Sequence, residues 1–399
     1  MLLEYRFNKA IERLAAEARF PLCMKLWNGR HVTLAPNPTV TIEIPDVSAL
    51  RFFVPPDLNK LGEAFVDGHI RAEGSIHELF RLARELSHDV AARTSAGFRL
   101  LRRHSKAADR RAIQYHYDVS NEFYSLFLDA RMVYSCAYYR SEADSLEQAQ
   151  VQKLDHILNK LMVKPGESFL DIGCGWGALI VRAARQYGAR AHGVTLSENQ
   201  FDHVRELIRA EGLEDRCSVE LRDYRDLPES APYDKIASVG MFEHVGLKHL
   251  PAYFRKMRAL LKDDGLFLNH GITSSNVDSR EVGAGAGAFI DRYVFPDGEL
   301  PHMALAMREM AAAGFEVVDV ESLRRHYART CHEWADRLDA NRARAIAIAG
   351  EKRFRIWDIY LAGCAYAFAE AWINIYQALA CKASRKASRL PLTREYMYA

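Results

Sequence analysis

The sequence predicts an α/β protein built on a doubly wound, mostly parallel sheet, preceded by a small α+β accessory domain. Three observations predict it. From Ser168 onward, short apolar runs alternate with helix-like stretches, the pattern of a parallel sheet covered by helices on both faces. The first run, Phe169-Leu170-Asp171-Ile172, opens directly into glycines at alternate positions, Gly173, Gly175 and Gly177, where the backbone turns tightly and lets a ligand come close. The chain has 399 residues, more than one domain usually holds, so a large core with an accessory domain is expected.

Taken in order, residues 1–87 read as the accessory domain, with apolar alternation at Thr39–Ile44 and Leu50–Val54 and helical spacing at Ile76–Leu86. Residues 88–111 are polar and basic, with Arg93, Arg99, Arg102, Arg103, His104, Lys106, Arg110 and Arg111 crowded together, and read as a linker. Residues 112–399 form the main domain. Within it, Asp144–Leu161 has apolar residues at helical spacing and leads into the strand Ser168–Ile172 and the helix Ala178–Tyr187. A strand at Ala189–Leu196, a helix from Glu198, and strands at Cys217–Asp223 and Tyr233–Val239 follow. Then come a helix at Leu250–Leu261 and strands at Gly265–His270 and Phe315–Val320. Two further stretches, Tyr327–Ile348 and Phe354–Lys382, read as long helices covering the site. Ligands of such sheets sit beyond the carboxyl ends of the strands, so the glycine turn, Thr195, Asp223, Glu243 and His270 should converge there.

Composition narrows the function classes. With 49% hydrophobic and 27% charged residues the chain is that of an ordinary globular protein, and no apolar run is long enough to span a bilayer. The first twenty residues interleave charge with apolar side chains and lack the apolar centre of a signal peptide, so a cytoplasmic location is expected. Seven scattered cysteines without a C-x-x-C pair suggest neither a disulfide framework nor a zinc site, and no metal is expected. A net charge of +2 carries no nucleic-acid signature. The basic linker and a second cluster, Lys382, Arg385, Lys386 and Arg389, are either solvated segments or contacts for anionic lipid headgroups.

The glycine turn has the spacing G-x-G-x-G behind an acidic residue, which differs from the G-x-G-x-x-G that seats a dinucleotide pyrophosphate. That favours S-adenosylmethionine, which has no phosphate. Glycines also serve plain strand-to-helix turns, so the accompanying segments matter. Those segments are Tyr115-His116-Tyr117-Asp118-Val119-Ser120-Asn121, Met132-Val133-Tyr134-Ser135-Cys136-Ala137-Tyr138-Tyr139, Val194-Thr195-Leu196-Ser197-Glu198-Asn199-Gln200, Asp223-Tyr224-Arg225-Asp226-Leu227, Ser238-Val239-Gly240-Met241-Phe242-Glu243-His244-Val245-Gly246 and Phe295-Pro296-Asp297-Gly298.

Together with Leu61-Gly62-Glu63-Ala64-Phe65-Val66-Asp67-Gly68 in the accessory domain, these resemble the cyclopropane-fatty-acid-phospholipid synthases over most of the chain. The resemblance implies a class I methyltransferase fold and an accessory domain suited to lipid. It implies methyl transfer from S-adenosylmethionine to a cis double bond of an unsaturated phospholipid, followed by closure of a cyclopropane ring. It implies peripheral association with the inner face of the membrane, and a homodimer is consistent with it. By resemblance the cofactor is held by Tyr134, Ser135, Asp171, Gly173, Gly175, Gly177, Thr195, Gln200, Asp223, Tyr224 and Arg225. By resemblance a bicarbonate ion takes the proton, held by Cys136, Glu243, His270, the backbone of Ile272, and Tyr327. Cys364 lies where the family has a cysteine proposed as catalytic.

Chemistry gives these assignments reasons. A small anion wants thiol, imidazole, phenol and amide donors, with a carboxylate to accept its hydroxyl. Aromatic faces attract sulfonium and carbocation charge by roughly 0.5 to 2 kcal/mol each, which makes Tyr117, Tyr134, Tyr138, Tyr139 and Trp176 candidates, although aromatics also simply fill cores. His270 read alone is a packed histidine, and Cys364 a packed helical cysteine, since methyl transfer to an alkene requires no thiol nucleophile. One departure from methyltransferases in general stands out: the second strand ends Val194-Thr195-Leu196 without a carboxylate for the ribose, leaving Thr195, Gln200 or Glu198 for that contact. Three other readings stay open: acyl-chain methyl or methylene branching, N-methylation of a small amine, and lipid binding without catalysis.

Overall fold

The computed structural model describes residues 2–17, 21–54, 58–87, 120–278, 289, 293, 299–383 and 390–398. The basic linker 88–111, the segment 115–119 with Tyr117, the motif 295–298, and Arg385, Lys386 and Arg389 lie outside the described residues. No described helix is long and apolar enough to cross a membrane.

Two compact units divide the chain. The first comprises Met1–Leu101, Val282–Pro296 and Trp334–Ala367. It holds a four-stranded sheet of β1 (Leu22–Leu26), β2 (His31–Thr33), β3 (Val40–Ile44) and β4 (Arg71–Gly74), in the order β2-β1-β3-β4. The alternation of Val40, Ile42 and Ile44 buries one face of β3, as period-2 patterning requires. The apolar alternation at Leu50–Val54 is not a strand: Leu50–Phe52 close the 3-10 helix Val47–Phe52, whose start Asp46 caps by accepting from the Ser48 amide at 2.7 Å.

The sequence reading assigned 334–367 to the main domain, but the contacts place it in the first unit. Arg355 donates to the Phe65 carbonyl at 3.2 Å, Lys352 pairs with Asp67 at 2.8 Å, and Tyr366 stacks on Phe80. Helical side chains thus satisfy the end of the Leu58–Val66 helix and pack on Phe80 of the Ile76–Ser87 helix.

The second unit comprises Arg102–Glu281, Asp297–Glu333 and Phe368–Ala399. Its sheet has seven strands: β5 (Ser168–Ile172), β6 (Arg190–Thr195), β7 (Cys217–Leu221), β8 (Tyr233–Val239), β9 (Leu261–Ser274), β10 (Phe315–Ser322) and β11 (Ile373–Lys382). The order is β10-β11-β9-β8-β5-β6-β7, with β11 alone antiparallel to its neighbours. This is the expected doubly wound, mostly parallel sheet. Phe169 packs into the core on one face and Leu170 into the core on the other, both with no exposed surface. Each such side chain contributes about 1.5 to 3 kcal/mol on burial.

The expected helix Phe354–Lys382 is a correction. The helix Glu351–Ala369 stops there, and Ile373–Lys382 is strand β11, paired with β9 from Ile373↔Ser274 to Cys381↔Leu266. Its alanines gave it a helical look, yet Ile373, Ile375 and Tyr376 have the β-branched and aromatic character of a strand buried on both faces. The expected helix Tyr327–Ile348 is likewise two, Arg324–Ala340 and Arg342–Ala349.

Candidate active site

Residues just beyond the carboxyl ends of β5 to β8 enclose a cavity of about 410 Å³. Its floor is the glycine turn. Gly173, Gly175 and Gly177 all have positive φ, at 78°, 55° and 86°, a region that side chains other than glycine enter only with strain. Of the residues assigned to the cofactor by resemblance, all but Gly177 line this cavity. Gly177 instead starts the helix Ala178–Tyr187, where a Cβ would come within 2.9 Å of Val204.

The polar residues around the cavity hold one another in place. Thr195 donates to the Gln200 side-chain oxygen at 2.8 Å. The Arg225 guanidinium forks onto both oxygens of Asp223, at 2.8 and 2.6 Å. Trp176 donates to Asn121 at 2.9 Å and packs against Tyr124, which also meets Tyr134 edge-on. Of the expected aromatic faces, Tyr134 and Trp176 line the cavity, whereas Tyr138 stacks between His156 and His326 and Tyr139 packs under the Arg329 guanidinium, away from it.

Two buried charges of opposite sign share this cavity. Asp171 lies one residue before the end of β5 with its Oδ1 buried and unpartnered, and burial pushes its carboxyl up to about 7 against the pull of Lys153. Lys153 lies on the helix Leu146–Lys160, donates to Ser135 Oγ at 2.8 Å, and is drawn down to about 8 by its own burial. Sequence reasoning missed Lys153. The only signal was positional: Leu146, Ala149, Gln150, Lys153, Leu154 and Ile157 share one face at helical spacing, which sets Lys153 among core-facing residues. Gln150, one turn earlier, donates to the carbonyls of Val133 and Ser135 at 3.3 and 2.9 Å and so fixes the segment that carries Ser135. An orphaned carboxylate, an ammonium, a glycine turn and aromatic faces together fit the zwitterionic, sulfonium-bearing S-adenosylmethionine.

A second cluster gathers around β9. Glu243 sits on a 3-10 turn after β8 and its Oε1 accepts from the Ile272 amide at 3.5 Å. Gly271 makes that approach possible, because a Cβ there would fall 2.1 Å from the Phe242 ring and 2.8 Å from Glu243 Oε2. His270 precedes it on β9, fully buried, with Nδ1 3.0 Å from the side-chain nitrogen of Gln377 on β11. Glu243 Oε2 and His270 Nε2 are buried without partners. Cys136 and Tyr327 meet elsewhere in the same unit, at the Leu323 carbonyl, which accepts from the Cys136 thiol at 3.8 Å and from the Tyr327 amide at 3.0 Å. Leu323 in turn donates to the carbonyl of Ile375, the β11 residue paired with Ile272. Thus β11 links the two groups. Gln377 went unseen in the sequence because its strand read as a helix.

Burial sets the protonation of this cluster. It pushes the Glu243 carboxyl up to about 7, the amides of Glu243 and Ile272 holding it back. It pushes the Cys136 thiol up and holds the His270 ring well below its ordinary range, with Lys153, Lys160 and His156 adding to the effect. Cys364 belongs to the first unit, on the helix Glu351–Ala369, where desolvation pushes its thiol up to about 12; a thiol held protonated is a poor nucleophile.

Glu243 makes stability depend on pH. An acid whose value rises from 4.5 unfolded to about 7 folded takes up a proton on folding, so stability falls as pH rises through that window. The full effect is about 3 kcal/mol. Glu243→Gln removes it, so urea unfolding should show the variant gaining on the parent chain by up to about that amount between about pH 5 and pH 8. A difference that does not vary with pH contradicts a buried, titrating Glu243.

Comparison with known proteins gives this geometry a family. The model of the family described as mycolic acid cyclopropane synthetase matches residues 104–378. A probable fatty acid methyltransferase of Pseudomonas putida is 48% identical over 379 residues, 95% of this chain and 96% of that one. Cyclopropane mycolic acid synthase 1 of Mycobacterium tuberculosis is 38% identical over 274 residues, 66% of this chain and 94% of its own. Among solved structures, a mycolic acid cyclopropane synthase complexed with SAH and CTAB superposes with a TM-score of 0.65 at 37% identity, over 68% of this chain and 98% of that one. The chain belongs to the mycolic acid cyclopropane synthetase family and is an S-adenosylmethionine-dependent methyltransferase.

Proposed function

We propose that the enzyme methylates a cis double bond in an acyl chain of an unsaturated phospholipid at the cytoplasmic face of a membrane, and that bicarbonate assists the proton loss that closes a cyclopropane ring. The supporting observation is the pair of buried, unpartnered atoms Glu243 Oε2 and His270 Nε2 beside β9, a donor and an acceptor kept out of water. An isolated alkene is a weak nucleophile and its methylated form is a cation, so the site must be dry and its base small. S-Adenosylmethionine supplies the electrophilic methyl group when bound, and bicarbonate supplies a base.

The chain's own residues do the rest. The Gln377 amide nitrogen only donates, so His270 Nδ1 accepts from it and the ring hydrogen sits on Nε2. His270 is therefore a neutral donor, a role its burial enforces. The Cys136 thiol, kept protonated by burial, the Ile272 amide and the Tyr327 phenol complete the donor set for an anion once the thiol turns from the Leu323 carbonyl and the amide from Glu243. Glu243, near 7, is poised to accept the hydroxyl hydrogen of that anion and orient it. Trp176 and Tyr134 line the cavity and offer ring faces to a cationic centre, with Tyr124 packed behind them.

The name of the Pseudomonas putida relative, a probable fatty acid methyltransferase, favours a second reading in which the acyl chain gains a methyl or methylene branch and no ring closes.

Turnover on unsaturated phospholipid vesicles tests the role of bicarbonate. Removing dissolved carbon dioxide and bicarbonate at constant pH should lower the rate by about 10-fold or more, the range of a lost general base. Adding bicarbonate back should restore the parent chain and leave Glu243→Gln slow. A rate indifferent to bicarbonate contradicts the proposal. Sedimentation with the same vesicles tests membrane contact: binding should rise with anionic lipid and fall as salt shortens the Debye length from about 30 Å toward 8 Å. Binding indifferent to both contradicts an electrostatic contact.

A further inference from the structure

Lys153 is a buried charge in the wall of the cofactor cavity that the resemblance does not assign. It is 2% exposed, it lines the cofactor cavity, and its ammonium carries three donors. The partner found for it is the neutral hydroxyl of Ser135, at 2.8 Å. A buried ammonium served by one neutral acceptor is costly unless an anion completes its surroundings.

The buried carboxylates around it do not do so. Asp129 and, more weakly, Asp171 act on Lys153 electrostatically, yet among the described residues no ion pair joins either to it: Asp129 accepts from the amides of Arg131 and Val133, and Asp171 Oδ1 stays unpartnered. Two opposite charges are thus held buried around one space, near enough to interact and kept from pairing. Gln150 reinforces the separation, because it anchors the backbone of Ser135 while Lys153 holds its side chain, both from the same helix face. A space flanked in this way suits a molecule with one negative and one positive group of its own, and the amino acid end of S-adenosylmethionine is such a group.

We propose that Lys153 binds the α-carboxylate of the cofactor, with Ser135 positioning the ammonium, and that this contact selects ligands with an intact amino acid end. Asp171 is then left to face the α-ammonium.

Binding without turnover tests this. Calorimetric titration compares S-adenosylhomocysteine with its decarboxylated analogue, the same thioether and amine without the carboxylate, on the full chain and on Lys153→Met and Lys153→Arg. The parent chain should prefer S-adenosylhomocysteine by about 10- to 100-fold, the range for a hydrogen bond to a charged group. Lys153→Met should lose most of that preference by weakening S-adenosylhomocysteine while leaving the analogue within about threefold, and Lys153→Arg should recover part of it. Equal weakening of both ligands in Lys153→Met means that Lys153 serves packing alone and overturns the proposal. Should Lys153→Met fail to fold, the parent chain still decides: equal affinity for the two ligands overturns the proposal, and a preference within the stated range, shifted in Lys153→Arg, supports it.

Discussion

Removal of charge from water is the constraint on which this active site depends. Lys153, Asp171, Glu243 and His270 all lie at the carboxyl edge of the seven-stranded sheet, each at most 6% exposed. Left to themselves, such groups discharge: the carboxyls rise, the ammonium and imidazole fall. That is the direction each takes here. The sheet must therefore be held firmly enough to keep these groups dry, and the site must offer ligands whose charges complement what the protein lacks. Stability and chemistry meet in the same residues, as expected where ionisable groups are buried for function.

The firmness comes from β11. As the one antiparallel strand, it lies between β9 and β10 and sets Gln377 opposite His270 and Ile375 opposite Ile272. A one-residue slip would turn Gln377 to the other face of the sheet. On the far side of β10, the fully buried Lys160 meets Glu321 at 2.5 Å and Asp319 at 3.3 Å, and His156 meets Glu321 at 2.7 Å. Despite the desolvation that opposes it, Glu321 is held down at about 2 by His156 and Lys160. His156 also faces the Met397 carbonyl and stacks on Tyr138, whose other neighbour is His326. The helix that carries Lys153 is thereby locked to β10, to the Arg324–Ala340 helix and to the end of the chain.

Much of this fold was legible in the sequence because parallel strands buried on both faces leave continuous apolar runs, and glycines mark where the first of them ends. The strands and helices from Ser168 to Leu261 fell where the pattern put them, within a residue or two at the ends. The failures have physical causes. Strand β11 carries alanines and follows a long helix, so nothing local marked the change of period; only its pairing with β9 makes it a strand. Residues 334–367 were given to the wrong unit because the partners of Lys352, Arg355 and Tyr366 lie nearly 300 residues earlier in the chain. In the site, residues within motifs were nameable, whereas Lys153 and Gln377 sit in ordinary helix and strand contexts and acquire meaning only from what folding places beside them. Gly271 is similar: its need for a missing side chain comes from Phe242, brought in by the turn after β8.

The fate of the transferred carbon tests the account most directly. The protein is incubated with S-adenosylmethionine carrying a labelled methyl group and with unsaturated phospholipid vesicles, and the released fatty acids are analysed by mass spectrometry and proton NMR. The account predicts the labelled carbon as the bridging methylene of a cyclopropane ring. Label in a methyl or methylene branch, with no ring, would contradict a site built to close one.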